Sequence, residues 1–374
     1  MNCDYRRYVK RFVTINTAVI ILVVTIAYVV MGIVKENYSE KEILNNYENI
    51  LYGSALKDGG LLKLDIVKKK KPSVIALGSS RVMQFRADFF QNQDFYTLGG
   101  LGASVCELEY TWKKVKESYS PKVVIIGVDS WWLNPKLKHD NRFNDSNNKA
   151  KYKEIVELYR NEKIFKQLLR VDEIKEFDEI GSRRNIGLDA AVNGNGYRLS
   201  DGSRQYGKII RDKKDTETRF KSTYERMAKG DENDRFVWCD TVSEIELRKL
   251  ENLLNDIKKS GAIVVVFLPP FPHEIYNYMD NNSHYHGFLH NFIYRMDEMC
   301  DKLNIPCYNF SDLSSIGASD DETIDGFHAS EVAYARITAL LGQYEPISKY
   351  INTDKLNVVI RNPIDSMQAI PASR

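Results

Sequence analysis

The chain has 374 residues, 43% apolar and 28% charged, enough to bury the core of one large or two ordinary domains, which excludes a disordered or fibrous protein. Lys plus Arg number 53 against 51 acidic residues, so the formal charge of +2 gives no reason to expect a nucleic-acid partner. The five cysteines (Cys3, Cys106, Cys239, Cys300, Cys307) are odd in number and in no metal-binding spacing, so neither a disulfide scaffold nor a zinc ribbon is indicated, and nothing in the sequence supports a Cys300–Cys307 bridge.

Residues 12–34, FVTINTAVIILVVTIAYVVMGIV, contain no charged side chain. At about 1.5 Å of rise per residue they are long enough to cross a hydrocarbon layer of about 30 Å as a helix. A buried core helix would keep a polar stripe, and a signal peptide would be shorter and followed by a small-x-small cleavage site, so an uncleaved anchor is expected. Arg6, Arg7, Lys10 and Arg11 precede the span, while Lys35, Glu36, Glu40, Lys41 and Glu42 follow it. The positive-inside bias then makes residues 1–11 a cytoplasmic tail and puts everything after residue 35 outside the cell membrane.

Residues 35–70 read as a helical juxtamembrane stalk, with Lys68 to Lys71 as a solvated edge. From there to residue 345, strand-like runs alternate with helical segments: SVIALGSS (73–80), FYTLGG (95–100), VVIIGVDS (123–130), AIVVVFLPP (262–270) and PCYNFSD (306–312). Four of the five lack polar alternation, as strands covered on both faces should. The best helix, SEIELRKLENLLNDIKKSG, has a Ser243–Glu246 capping box and Gly261 after its last turn. The alternation predicts an α/β domain at 71–345 with a doubly wound, five-stranded parallel sheet. Residues 139–242 are too long for an ordinary crossover and are expected to be an insertion, a lid or partner surface; in it NGNGYRLSDGSRQYG (193–207) reads as a plain loop or, alternatively, as one that offers Tyr197 and Arg198 to a substrate. Residues 346–374 are left as a C-terminal tail.

In a doubly wound sheet the reactive site lies beyond the carboxyl ends of the strands. There the sequence offers Gly78-Ser79-Ser80, Gly99-Gly100-Leu101-Gly102, Gly127-Val128-Asp129 and, before a C-terminal helix, Asp325 and His328. A serine needs a base to take its proton and a third group to orient that base. Ser80, His328 and Asp325 supply that set, and the backbone N–H groups of Ser80 and Gly102 are candidate oxyanion donors. Alone, either serine reads as a helix cap.

The ordered set resembles the SGNH or GDSL hydrolase superfamily. Gly78-Ser79-Ser80 resembles its Gly-Asp-Ser block, TLGGLGAS its glycine block with Gly102 in the oxyanion position, and Asp325-x-x-His328 its closing block. Two departures stand out. Where the third block has an asparagine that donates to the oxyanion, this chain has Asp129, and an ionised aspartate only accepts. That contribution then requires a protonated Asp129, a donor such as Ser130 or a water, or it is missing. Arg81 replaces the leucine after the nucleophile. GSSR with GVDSWWLN is closer to the membrane-anchored extracytoplasmic members, those of teichoic acid D-alanylation and alginate O-acetylation, which work with a membrane-bound O-acyltransferase.

The resemblance implies a serine-dependent O-acyl transferase or esterase, most simply for acetyl, acting on a cell-envelope polysaccharide through an acyl-serine and needing no metal or organic cofactor. Arg81, Trp131, Trp132, Tyr197 and Arg198 are the candidate substrate contacts, with one tryptophan in the core and the other a sugar-stacking wall or a lid contact. His284, His286 and His290 invite a metal reading, but with no acidic or cysteine partner evident a solvated loop is expected. The rival readings are a plain small-ester esterase and a non-catalytic scaffold that binds polymer or an acyltransferase.

Overall fold

The computed structural model of the chain describes residues 3–36, 38–45, 50–54, 60–137 and 185–371. Helix α1 (Cys3–Ile33) starts well before the expected span, and Tyr5–Ile33 is long and apolar enough to cross a membrane, with none of its most apolar stretch buried in protein. Its end is docked on the rest of the chain. Met31 and Val34 are buried, the Gly187 N–H donates to the Val34 carbonyl (2.8 Å), and the buried Glu36 carboxylate accepts from the Leu188 N–H (2.7 Å) and the Ser54 hydroxyl.

Five short strands form one parallel sheet: β2 (Val74–Leu77), β3 (Phe95–Thr97), β4 (Val123–Gly127), β7 (Ile263–Leu268) and β8 (Cys307–Asn309), in the order β3-β2-β4-β7-β8. Their side chains alternate between two apolar cores. Ile75, Leu77, Val124 and Ile126 face one core, packed by α2 (Gly60–Lys70), α3 (Val105–Lys116), α5 (Glu244–Lys259) and α7 (His286–Leu303). Val74, Ala76, Val123 and Ile125 face the other, packed by α8 (Glu331–Leu341) and α9 (Thr353–Arg361). Helices on both faces and a strand order that reverses beside β2 make this a doubly wound sheet, with its crevice at the carboxyl ends of β2 and β4. Cys300 and Cys307 are both free thiols.

Three segments differ from expectation. Residues 60–70 are a helix of the domain, not a stalk, because Leu62, Leu64, Ile66 and Val67 give α2 an apolar face that packs into the core. The lysine run is tied down: Lys68 pairs with Asp65, Lys69 donates to the Leu44 carbonyl and Lys70 to the Ser200 carbonyl (2.9 Å). The C-terminal residues are no tail either, since Leu356 and Val359 of α9, with Ala369 and Ile370, complete the second core.

Of the expected insertion, residues 139–184 lie outside the described residues. Residues 193–207 form a hairpin, not a loop: β5 (Asn195–Arg198) and β6 (Arg204–Tyr206) pair antiparallel, and β1 (Leu51–Tyr52) adds to β5 as a third strand. The hairpin turn lies against the edge strand β3, where the Thr97 N–H donates to the Asp201 carbonyl (2.8 Å). Gly202 there has φ +74°, and a Cβ on it would sit 2.2 Å from the Thr97 carbonyl oxygen, so only glycine lets the turn approach so closely. The contact also covers an exposed sheet edge. Farther on, α4 (Thr216–Lys229) buries Phe220 and Met227.

Candidate active site

The crevice brings Ser80, His328 and Asp325 together. After β2 the chain turns at Gly78 into a single 3₁₀ turn, Ser80–Val82, capped by the Ser79 hydroxyl, which accepts from the Arg81 N–H (3.1 Å). Ser79 is thus the structural serine, and the next residue points its hydroxyl the other way. Ser80 Oγ lies 2.9 Å from His328 Nε2, and His328 Nδ1 lies 3.0 Å from both oxygens of Asp325. Asp325 Oδ1 also accepts from the N–H groups of Phe327 (2.8 Å) and His328 (2.7 Å), so the carboxylate fixes both the loop and the ring it orients. Burial raises the Asp325 carboxyl, but His328 and the two amides outweigh it and hold it below the ordinary carboxylate value. This chain of contacts is the arrangement that lets an imidazole take a serine proton.

The oxyanion side differs from the sequence expectation. The Gly102 N–H donates to the Gly78 carbonyl (3.1 Å), as does the Gly100 N–H, so neither amide faces the crevice. Leu108 Cδ2 would lie only 2.6 Å from a Cβ at position 102, so this glycine serves close packing. Among the described residues no partner is found for the Ser80 N–H, the first amide of its turn. It is the remaining candidate donor.

Asp129 is fully buried and accepts from Arg81 Nη1 (3.1 Å). Burial holds its carboxyl above the ordinary carboxylate value, against the lowering effect of Arg81 and Ser79. The residue is therefore half of an internal ion pair instead of an oxyanion donor, and Arg81, 2% exposed, is no substrate contact. Arg81 Nη2 donates to the Pro269 carbonyl (2.7 Å), and its guanidinium lies 4.0 Å from the Phe271 ring. Arg81 thus cross-links the strand ends of β2, β4 and β7.

Both tryptophans are core residues, at 2% and 0% exposure, because Ser130–Leu133 is a 3₁₀ turn and not the extended segment that would send adjacent rings to opposite faces. Trp131 packs on Phe327, the residue before His328 (centroids 5.1 Å apart). Arg198 is likewise buried, paired with Glu331 (2.9 Å). Of the expected substrate contacts only Tyr197 is part-exposed, with Lys63 Nζ over its ring at 4.2 Å.

Sequence reasoning missed several residues around the crevice. Tyr206 lies beside His328 (ring centroids 6.3 Å), and Arg204 sits between the Tyr197 and Tyr206 rings, 5.3 Å from each. The Arg204 N–H donates to the Met83 carbonyl (2.9 Å), joining the hairpin to the serine turn. The buried Lys63 donates to the Gly99 carbonyl (2.8 Å) and steadies the glycine block. Alternation through GYR and RQY was the available signal, hidden among turn residues. Away from the crevice, Asp280, His286 and His290 form a group of potential metal ligands, whereas His284 stacks on Trp238 (3.9 Å, 6°).

No protein-family model matches the chain, and no curated protein matches it.

Proposed function

We propose that this is a membrane-anchored serine acyl-transfer enzyme of SGNH type, working outside the cytoplasm on O-acyl, most simply O-acetyl, groups of a cell-envelope polysaccharide. The observation that carries the reading is the Ser80–His328–Asp325 relay, with steps of 2.9 and 3.0 Å, at the carboxyl edge of the sheet. Ser80 Oγ attacks the acyl carbonyl as His328 Nε2 takes its proton, and Asp325 holds the imidazole. The Ser80 N–H faces the developing oxyanion. Collapse returns the proton to the departing oxygen and leaves an acyl-serine, which a sugar hydroxyl or water then resolves. The apolar N-terminal helix, docked on the domain through Glu36, supports work at a membrane surface beside an integral-membrane acyl donor such as an O-acyltransferase.

The test is labelling of the detergent-solubilised full chain with a fluorophosphonate. Wild type is expected to label stoichiometrically, Ser80→Ala not at all, and His328→Ala about 10²–10⁴-fold more slowly. Absence of labelling in folded wild type would overturn the reading.

One observation favours a binding scaffold instead: the Gly102 amide is engaged and Asp129 is ion-paired, and loss of one oxyanion donor costs about 10²–10³-fold in rate. The scaffold predicts that Ser80→Ala leaves function in cells intact. A plain esterase predicts fast turnover of aryl acetates without a glycan acceptor.

A further inference from the structure

We propose that Asp280, His286 and His290 form a surface site for one divalent transition-metal ion of the zinc class, which clips helix α6 (His273–Asn281) to α7. His286 and His290 are four residues apart on the first turns of α7, so their rings share one face. Asp280, near the end of α6, meets them across the short turn between the helices. Both rings gather on one aspartate: His290 Nε2 lies 2.6 Å from Asp280 Oδ1, and His286 Nδ1 lies 3.3 Å from the same oxygen and 2.6 Å from the Asp280 backbone carbonyl, a bond that metal binding would exchange. A single His–Asp hydrogen bond needs one imidazole. Two imidazoles and a carboxylate put three potential ligand atoms within 4.8 Å of one another, close enough for one ion to replace the hydrogen bonds.

The spacing fits. Zinc bonds of about 2.0–2.2 Å in a tetrahedron set ligand atoms roughly 3.3–3.5 Å apart. The His286 edge already has that length, and all three ligand atoms lie within 4.8 Å of one another. The His290 edge must open by under about 1 Å. That is a small ring rotation for a side chain 53% exposed. The backbone around the site is anchored, since Met279 and Tyr285 are buried and the Tyr285 hydroxyl lies 2.8 Å from both the Met227 and Phe236 carbonyls, donating to one or shared between them. The ligands thus project from fixed helices, and the open side leaves room for water as the fourth ligand. Two imidazoles with one carboxylate favour zinc, nickel or copper over magnesium or calcium, which take oxygen ligands.

The full chain in detergent, stripped of metal by a chelator and dialysed, is titrated with zinc chloride alone in a calorimeter, and its melting temperature is followed in parallel. Wild type is expected to bind one ion per chain with a rise in melting temperature, and magnesium chloride to give neither. His286→Ala, His290→Ala and Asp280→Asn should each weaken binding about tenfold or more. The two histidines are exposed and Asp280 half-buried, and circular dichroism checks that each variant stays folded. His284→Ala and His328→Ala should bind as wild type does. Absence of a saturable site in wild type, binding unchanged in the His286 and His290 variants, or loss of the ion in His328→Ala would each overturn the proposal.

Discussion

The two sheets are held in place by different forces. In the five-stranded sheet β2 and β4 are apolar and buried along their whole length, and helices cover both faces. Non-directional burial, at about 25 cal/mol per Å² of apolar surface, is enough to hold such a sheet together. In the three-stranded sheet the buried residues include Arg198 and Gln205 in the strands and Asp201 and Ser203 in the turn. What fixes it is a buried set of four charges. Arg86 pairs with Glu331 (2.9 Å) and Asp201 (3.3 Å), and Arg198 pairs with the same Glu331 oxygen (2.9 Å). These residues come from the segment after the serine turn, the hairpin, and the start of α8, three residues beyond His328. Desolvation makes such a set a poor source of stability, and Arg198 Nε and Glu331 Oε2 find no partner among the described residues. Its value is directional: hydrocarbon packing builds the scaffold, and the charges hold the pieces around Ser80 and His328 in one register.

The largest expected effect comes from breaking that set. Glu331→Gln leaves two buried guanidinium groups with Asp201 and, 3.9 Å from Arg86, the part-exposed Asp88, and unfolding of the solubilised chain in urea should show a loss of about 3–5 kcal/mol. Limited proteolysis should then cut first within residues 185–206. A loss under about 1 kcal/mol would place the small sheet on the same apolar footing as the large one. The opposite probe is Ile126→Val in β4, which removes one buried methylene and should cost about 0.5–1.5 kcal/mol without new cleavage in the hairpin. Hairpin cleavage in that variant would show the two sheets to be one cooperative unit.

The same difference in forces explains what the sequence disclosed. Strands buried on both faces write continuous apolar runs, and all five runs became strands of the large sheet in parallel register. The small sheet has strands of two to four residues, and β1 pairs with a segment far along the chain, so neither periodicity nor local turn chemistry could announce it. Helix α9 is short and buries only Leu356 and Val359, and the lysines ending α2 masked that helix's apolar face. The relay residues stood out because Asp325 and His328 are neighbours in sequence and Ser80 follows a strand end. The Gly102 part of the oxyanion assignment failed because the partner of that amide is a tertiary fact. Arg81, Trp131, Trp132 and Arg198 resemble substrate contacts by residue type, and only long-range packing reveals that they are buried. Asp280 lies six residues before His286, and the turn between helices brings its carboxylate back to the rings.

The smallest effect belongs to an exposed charge pair at the same carboxyl edge, and it sharpens the contrast with the buried set. His273 Nδ1 lies 2.9 Å from Asp312, joining the start of α6 to the chain after β8. The hydrogen bond to Asp312 raises the His273 pKa above its ordinary value, against a smaller opposing effect of burial. A raised folded-state value means that the pair's stabilisation is fully present below the unfolded value of about 6.5 and is lost as pH rises through the folded value. Because the His273 side chain is 45% exposed, solvent screening limits the contribution to about 0.5 kcal/mol. The melting-temperature difference between wild type and His273→Ala should therefore shrink from about pH 5.5 to about pH 9, and shrink further in high salt. A difference that stays constant over that range would mean that the ring acts through packing. The Glu331→Gln loss, by contrast, should persist across the same pH range, because the arginines that it strands stay charged throughout.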